Sequence, residues 1–76
     1  MNRKRRDDLR GAIALLSSAE GIVQRVCDAE EDCVDRVPEN LQSTERFEKM
    51  EDAVQCLNDA LDLFDDLSDK LKQALG

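Results

Sequence analysis

The chain contains no histidine, tryptophan or tyrosine, and only two of its 76 residues are phenylalanine. Without histidine, no Ser-His or Cys-His nucleophile pair can form, and the Glu-x-x-His ligands of di-iron carboxylate bundles are excluded. A glycine-rich phosphate loop is missing too, because the three glycines are the widely spaced Gly11, Gly21 and Gly76. These absences predict a protein that is not an enzyme and needs no cofactor.

Long apolar runs are also absent. No stretch approaches the ~20 apolar residues of a membrane span, and the basic N-terminus is not followed by the apolar run and cleavage site of an export signal. The three cysteines, Cys27, Cys33 and Cys56, include no Cys-x-x-Cys pair. Cys27 and Cys33 are about 9 Å apart along one helix, too far for a disulfide. We therefore expect a cytoplasmic protein with reduced thiols and no membrane partner.

Two apolar stripes, one on each side of the single proline, Pro38, are the strongest signal present. Each stripe advances in alternating steps of three and four residues, which keeps its side chains on one face of a helix. The stripes are Leu9, Ala12, Leu16, Ala19, Val23, Val26, Glu30, Cys33 and Val37, then Phe47, Met50, Val54, Leu57, Leu61, Phe64, Ser68, Leu71 and Leu75. Facing residues, such as Leu16 and Phe64, have numbers that sum to 80, so the stripes predict an antiparallel hairpin.

The predicted fold is all-α, with one domain over residues 1–76. A first helix is expected from about residue 3 to 36, a turn over 37–43, and a second helix from about 44 to 74. Asn2 is a suitable N-cap for the first helix, and either Ser43 or Thr44 can cap the second. Val37 should end the first helix because the residue before a proline is pushed out of helical geometry.

The apolar surface is too wide for two helices alone. With Leu9 and Phe47 at heptad position a, apolar residues also occupy position g of the second helix and positions e and g of the first, whereas a two-stranded seam needs only a and d. Small residues at c and f of the first helix indicate a close contact there, or an outer face that tolerates them. We predict a homodimeric four-helix bundle, with another protein as an alternative partner. The expected self-association surface is Gly11, Ile13, Ala14, Leu15, Ser18, Gly21, Ile22, Ala53, Ala60 and Leu67.

Charge is unevenly distributed along the chain, which has a net charge of −7. Residues 1–10 carry five bases and two acids, and the remainder carries six bases and 16 acids. An acidic body disfavours nucleic acid as a partner for the whole surface. The cluster Arg3, Lys4, Arg5 and Arg6 is the candidate for phosphate contact, and its alternative role is to pair with Asp62, Asp65, Asp66 and Asp69 of the second helix.

The acidic run from Asp28 to Asp35 raises the question of a metal site. It lacks the loop and the glycine of an EF-hand, and its side chains diverge around a helix. The run therefore predicts a solvated helix face and no bound metal.

Three segments carry a family resemblance: Met1-Asn2-Arg3-Lys4-Arg5-Arg6, Pro38-Glu39-Asn40-Leu41-Gln42-Ser43-Thr44-Glu45-Arg46 and Glu48-Lys49-Met50-Glu51. The chain resembles a group of short uncharacterised bacterial proteins encoded on phages and conjugative elements. That resemblance implies a helical hairpin in a mobile-element setting, and it brings no activity or functional residues.

The predicted function is a non-enzymatic module for protein–protein interaction or assembly, which acts through helix faces. The alternative is a small accessory protein for RNA or DNA that uses the basic N-terminal turn.

Overall fold

The computed structural model describes residues Met1–Gly76 and contains two long helices with no strand. Helix α1 spans Arg3–Asp35 and helix α2 spans Glu45–Leu75, with a single 3-10 turn at Glu39–Leu41 between them. The all-helical prediction is confirmed, and each helix boundary falls within one residue of the expected position. The two helices pack against each other as a hairpin, which forms a rod of 60 × 15 × 14 Å.

Side chains predicted to cap the helices do so. Asn2 is the N-cap of α1, where its Oδ1 accepts a hydrogen bond from the Arg5 backbone N–H at 2.9 Å. Thr44 caps α2, since its Oγ1 accepts from the Phe47 N–H at 3.3 Å and donates to the Leu41 carbonyl at 2.8 Å. Each cap satisfies a donor that the first turn of a helix leaves unpaired.

The chain reverses between Arg36 and Thr44. The Arg36 N–H donates to the Asp32 carbonyl at 3.2 Å and so closes the last turn of α1. Pro38 is extended, with φ −61° and ψ 148°, and its carbonyl accepts from the Leu41 N–H at 2.9 Å to form the 3-10 turn. Helix α1 therefore stops just before the proline, as the restriction on the preceding residue requires.

The seam of α2 follows the predicted stripe. Phe47 is buried, with 8% of its surface exposed, and the other stripe residues up to Leu75 are half-buried. Ala60, beside this stripe, is half-buried as well. The alternating steps of three and four residues thus correctly identified the face that α2 turns toward α1.

The seam of α1 differs from the prediction in one of its two rows. The predicted second row was Ala12, Ala19, Val26 and Cys33. Ala12 and Ala19 are half-buried as predicted, but the row that packs along the whole seam is Arg6, Ile13, Glu20, Cys27 and Val34. The core positions predicted for Val26 and Cys33 were wrong, because Val26 is 46% exposed and Cys33 is also exposed. Cys27 takes the central position and is 0% exposed. At 100° per residue, exchanging one row for the other moves the centre of the α1 seam by about 50° around the helix axis.

Candidate interaction surface

One edge of the hairpin seam is polar, and its side chains connect the two helices. The Cys27 thiol donates to Asn58 Oδ1 at 3.6 Å, and Asn58 Nδ2 donates to Glu31 Oε1 at 3.3 Å. Glu20 lies seven residues from Cys27 on α1, and Asp65 lies seven residues from Asn58 on α2, both toward the open end of the hairpin. The carboxyl groups of Glu20 and Asp65 face each other there. The heptad row that contains Cys27 and the row that contains Asn58 therefore meet along the same edge.

Two ionisable groups on this polar edge are perturbed. A hydrogen bond between the carboxyls of Glu20 and Asp65 raises the pKa of Glu20, and burial and the negative charge of Asp65 act in the same direction, against a smaller opposing effect of Lys72. Burial, followed by the hydrogen bond to Glu31, raises the pKa of the Cys27 thiol. Cys27 is consequently a protected thiol with little thiolate character, unlike the low-pKa cysteines of reactive sites.

The opposite edge of the seam is apolar and uncovered, and we call it the apolar face. Its largest members are well exposed: Leu15 by 75%, Leu63 by 67%, Ile22 by 52% and Leu67 by 48%. On each helix the series again advances by three and four residues, with one interruption at Lys70. The full set is Ala12, Leu15, Ala19, Ile22, Val26, Ala29 and Cys33 on α1, and Ala53, Cys56, Ala60, Leu63, Leu67 and Ala74 on α2.

Both apolar series lie on the same side of the hairpin. At about 100° per residue, the centre of each series lies about 110° around its helix from the seam, in the direction away from the polar edge. Because the polar rows of α1 and α2 meet at one edge, the two apolar series must both flank the other edge. Each helix thus carries two heptad seams at roughly a right angle, which is the pattern of a helix with two neighbours.

A shallow cavity interrupts the apolar face on α2. It has a volume of about 240 Å³ and is lined only by Ala60, Leu63, Phe64 and Leu67. Small Ala60 between larger leucines creates the kind of hole that accepts a side chain from a facing helix.

The predicted self-association residues divide into three groups. Leu15, Ile22, Ala53, Ala60 and Leu67 lie on the apolar face. Ile13 lies in the α1 seam row, seven residues from Arg6 and from Glu20, and is half-buried. The small residues Gly11, Ala14, Ser18 and Gly21 are all exposed on the far side of α1.

The predicted self-association surface omits five of the seven α1 residues of the apolar face, and it omits Cys56, Leu63 and Ala74 of α2. Four of the five α1 residues belong to the row predicted for the core, and Leu63 lies beside Phe64 between two acids. The available signal was the three-and-four spacing that joins Leu63 to Ala60 and Leu67.

The basic N-terminal turn is partly occupied by contacts within the chain. Arg6 Nη2 donates to the Leu75 carbonyl at 2.6 Å, which joins the first turn of α1 to the last turn of α2. Lys4 pairs with Asp8 at 3.6 Å within the helix. Arg3 and Arg5 are exposed and have no ion-pair partner. All three ion pairs in the structure join residues of one helix, so none connects this turn to Asp62, Asp65, Asp66 or Asp69.

A second cavity, of about 430 Å³, lies at the turn end of the hairpin. Its apolar wall includes Leu41, Phe47 and Met50, and the guanidinium-bearing side chains of Arg36 and Arg46 border it. Leu41 remains 47% exposed there, so it covers the end of the seam only in part.

Comparison with known proteins gives no relative. No protein-family model matches the chain, and no curated protein or solved structure is significantly similar to it. The structure contains no group of three or more His, Cys, Asp or Glu side chains placed to hold a metal ion. Neither helix has a stretch long and apolar enough to cross a membrane.

Proposed function

We propose that the protein is a non-enzymatic assembly module that associates through its apolar face with a second copy, which gives a four-helix bundle. The observation that carries the proposal is the second heptad seam on each helix, with both seams on one side of the hairpin. Full burial of a leucine or isoleucine side chain stabilises an assembly by about 1.5–3 kcal/mol. A contiguous exposed apolar face marks an interaction site, and an isolated hairpin gains no stability from leaving Leu15, Ile22 and Leu63 in water.

The size of the hairpin supports the same proposal. Only Cys27 and Phe47 are buried in the single chain. Below about 70–80 residues, a single core rarely supplies enough free energy without disulfides, metal or oligomerisation. All three cysteines are free, which leaves association as the route to a larger core.

Sedimentation equilibrium at micromolar concentration tests the proposal. We expect the parent protein to sediment as a dimer, and Leu15→Gln or Ile22→Gln to shift it toward monomer by tenfold or more in the dissociation constant, about 1.4 kcal/mol. Ser17→Gln, which changes an exposed position of α1 outside the apolar face, is the matched control and should leave the dimer intact. A parent protein that is a stable, helical monomer at these concentrations would overturn the proposal.

The far side of α1 needs its own variants, because it carries four of the predicted contact residues. Ser18→Gln and Gly21→Gln place a long side chain among the small residues, where a Cβ added to Gly21 would meet nothing within 4 Å. We expect neither change to weaken the dimer. Dissociation by these two variants, with Leu15→Gln inactive, would move the interface to the small-residue side.

A competing proposal is that the chain is an accessory protein for RNA or DNA. One observation favours it: Arg3 and Arg5 have no partner in the structure. Two such phosphate contacts per copy would give a slope of about −2 in log affinity against log salt. Replacing Arg3, Lys4, Arg5 and Arg6 with Ser should abolish that dependence, whereas Lys70→Ser with Lys72→Ser is the control. If the parent shows no salt-dependent binding, this competing proposal is eliminated.

We also propose a cytoplasmic, mobile-element setting, on the basis of the sequence resemblance and the three free thiols. The genes beside the coding sequence test it. Phage or conjugation genes there would support the proposal, and an invariant chromosomal neighbourhood would contradict it.

A further inference from the structure

We infer that the second copy docks with its turn at the opposite end of the rod, so that α1 lies antiparallel to α1 of the partner and α2 to α2. The inference rests on the proposed self-association and adds its geometry. A two-fold symmetric pair of hairpins packed face to face has two simple arrangements. The symmetry axis runs either along the helices, with both turns at one end, or across them, with the turns at opposite ends.

Charge favours opposite ends. The turn half of the hairpin, residues 24–57, carries four bases and ten acids, whereas the rest of the chain carries seven bases and eight acids. Turns at the same end would place two halves of net charge −6 side by side. Turns at opposite ends place each −6 half beside a half of net charge −1, which lowers the repulsion.

The sizes of the facing side chains favour the same arrangement. Arg6 contacts Leu75 and Cys27 contacts Asn58, so residues at the same level along the hairpin have numbers that sum to between 81 and 85. The numbers of Ile22 and Ala60 sum to 82, which places these two residues at about the same level. A two-fold axis placed between Ile22 and Ala60 sets large residues opposite small ones on both sides of the centre, where Ile22 and Ala60 each meet their own copy. The facing pairs are Leu15 with Ala29, Ala19 with Val26, Leu63 with Cys56, and Leu67 with Ala53.

The same-end arrangement pairs these residues less evenly. It sets α1 against α2 of the partner at equal height, so Ile22 meets Ala60, whereas Leu15 meets Leu67 and Ala29 meets Ala53. Two large residues at one level and two small ones at another fill space less evenly, and a protein core tolerates neither overpacking nor voids. Alternation of large and small residues across a seam is the arrangement that fills space.

A second hairpin also has the right dimensions to cover the apolar face. The face runs from residue 12 to 33 on α1 and from 53 to 74 on α2, about 32 Å along each helix. A second rod of 60 × 15 Å is long and wide enough to cover it.

Distance measurements between spin labels test the orientation. A nitroxide is attached to Asn40→Cys in the turn, in a background of Cys33→Ala and Cys56→Ala, with Cys27 left in place because it is buried. Turns at opposite ends predict an inter-label distance of about 50 Å, from 1.5 Å per helical residue measured from the axis at Ile22. Turns at one end predict about 20 Å, which would overturn the inference while leaving self-association intact.

A second label position guards against disturbance of the turn. Gln73→Cys, an exposed site near the open end of α2, should give about 40 Å in the opposite-end arrangement. Sedimentation of each labelled protein is measured in parallel. If both labelled variants lack dipolar coupling and the unlabelled parent also sediments as a monomer, the proposed function itself is contradicted. A dimer with the wrong label distances would contradict only the orientation.

Discussion

The thiol of Cys27 on α1 lies 3.6 Å from Asn58 Oδ1 on α2, and this contact marks the rotation of α1 against its neighbour. With Cys27 turned inward, the row of Val26 and Cys33 turns outward onto the apolar face. One packing choice at the middle of the hairpin thus determines both the core of the single chain and the surface that it offers to a second one.

Cysteine reactivity should follow this rotation. Cys33 and Cys56 are exposed, whereas Cys27 is fully buried and has a raised pKa, because burial disfavours its thiolate. In the Leu15→Gln variant, whose apolar face should be uncovered, we expect iodoacetamide to modify Cys27 at least about tenfold more slowly than Cys56, a difference of about 1.4 kcal/mol. Mass spectrometry of timed samples measures the three rates, and denaturant should make them equal. Equal rates in the native protein would contradict the observed rotation of α1.

The facing carboxyls of Glu20 and Asp65 should make stability depend on pH. The folded state raises the pKa of Glu20, so it binds that proton more tightly than the unfolded state does. The favourable contribution is therefore complete below the ordinary pKa of a glutamate, and it is lost as the pH rises through the raised value. We expect Glu20→Gln to raise Tm at pH 7 and to have little effect in acid.

Thermal unfolding followed by circular dichroism between pH 3 and 8 measures this difference. Asp62→Asn, which removes one acid from an exposed position of α2, is the control for net charge. A Glu20→Gln variant that is less stable than the parent at pH 7 would show that the carboxyl pair is not a source of strain.

The contact between Arg6 and Leu75 should hold the open end of the hairpin together. Its 2.6 Å hydrogen bond spans 69 residues of sequence. Arg6→Ala should cost about 1.5 kcal/mol, the lower end of the range for hydrogen bonds that involve a charged group, and should speed amide exchange in the last turn of α2. Arg5→Ala is the matched control, expected to stay within about 0.5 kcal/mol of the parent. Equal effects of the two variants would remove any special role for Arg6.

Thr44 should anchor the start of α2. Its side chain accepts from the Phe47 N–H and donates to the Leu41 carbonyl, so it connects the helix to the turn. Thr44→Ala should destabilise the hairpin by about 1 kcal/mol, whereas Thr44→Ser retains the hydroxyl and most of the stability. Urea unfolding compares them with Ser43→Ala, whose hydroxyl makes no hydrogen bond to another residue of the chain. If Ser43→Ala is the more damaging change, the assignment of the cap is wrong.

The sequence was sufficient to predict the two helices, their ends and the inner face of α2. In α2, acids and amides occupy most positions between the apolar ones, so only one seam has large residues throughout. Phe47, Leu57 and Phe64 cannot all be buried by any other rotation of that helix.

Helix α1 gave no such unique solution. Two alternative seams on α1 share the row Leu9, Leu16 and Val23. They differ in the second row, which is either the one with Val26 or the one with Cys27. Periodicity favoured the row without a charge, whereas the observed row includes Glu20, whose carboxyl lies at the margin beside Asp65. Which of the two rows packs inward depends on contacts with α2, such as Cys27 with Asn58. The spacing of apolar residues along α1 alone carries no information about those contacts.

The sparse core of the single chain has a calorimetric consequence. Only Cys27 and Phe47 are buried, so a lone hairpin already exposes in its folded state much of the apolar area that unfolding would release. The heat-capacity increment of unfolding scales with that released area and averages about 12–15 cal/mol/K per residue in globular proteins. A lone hairpin must fall below this average, whereas a pair of hairpins that share one core must approach it. The curvature of the stability against temperature therefore reports how many chains build the core.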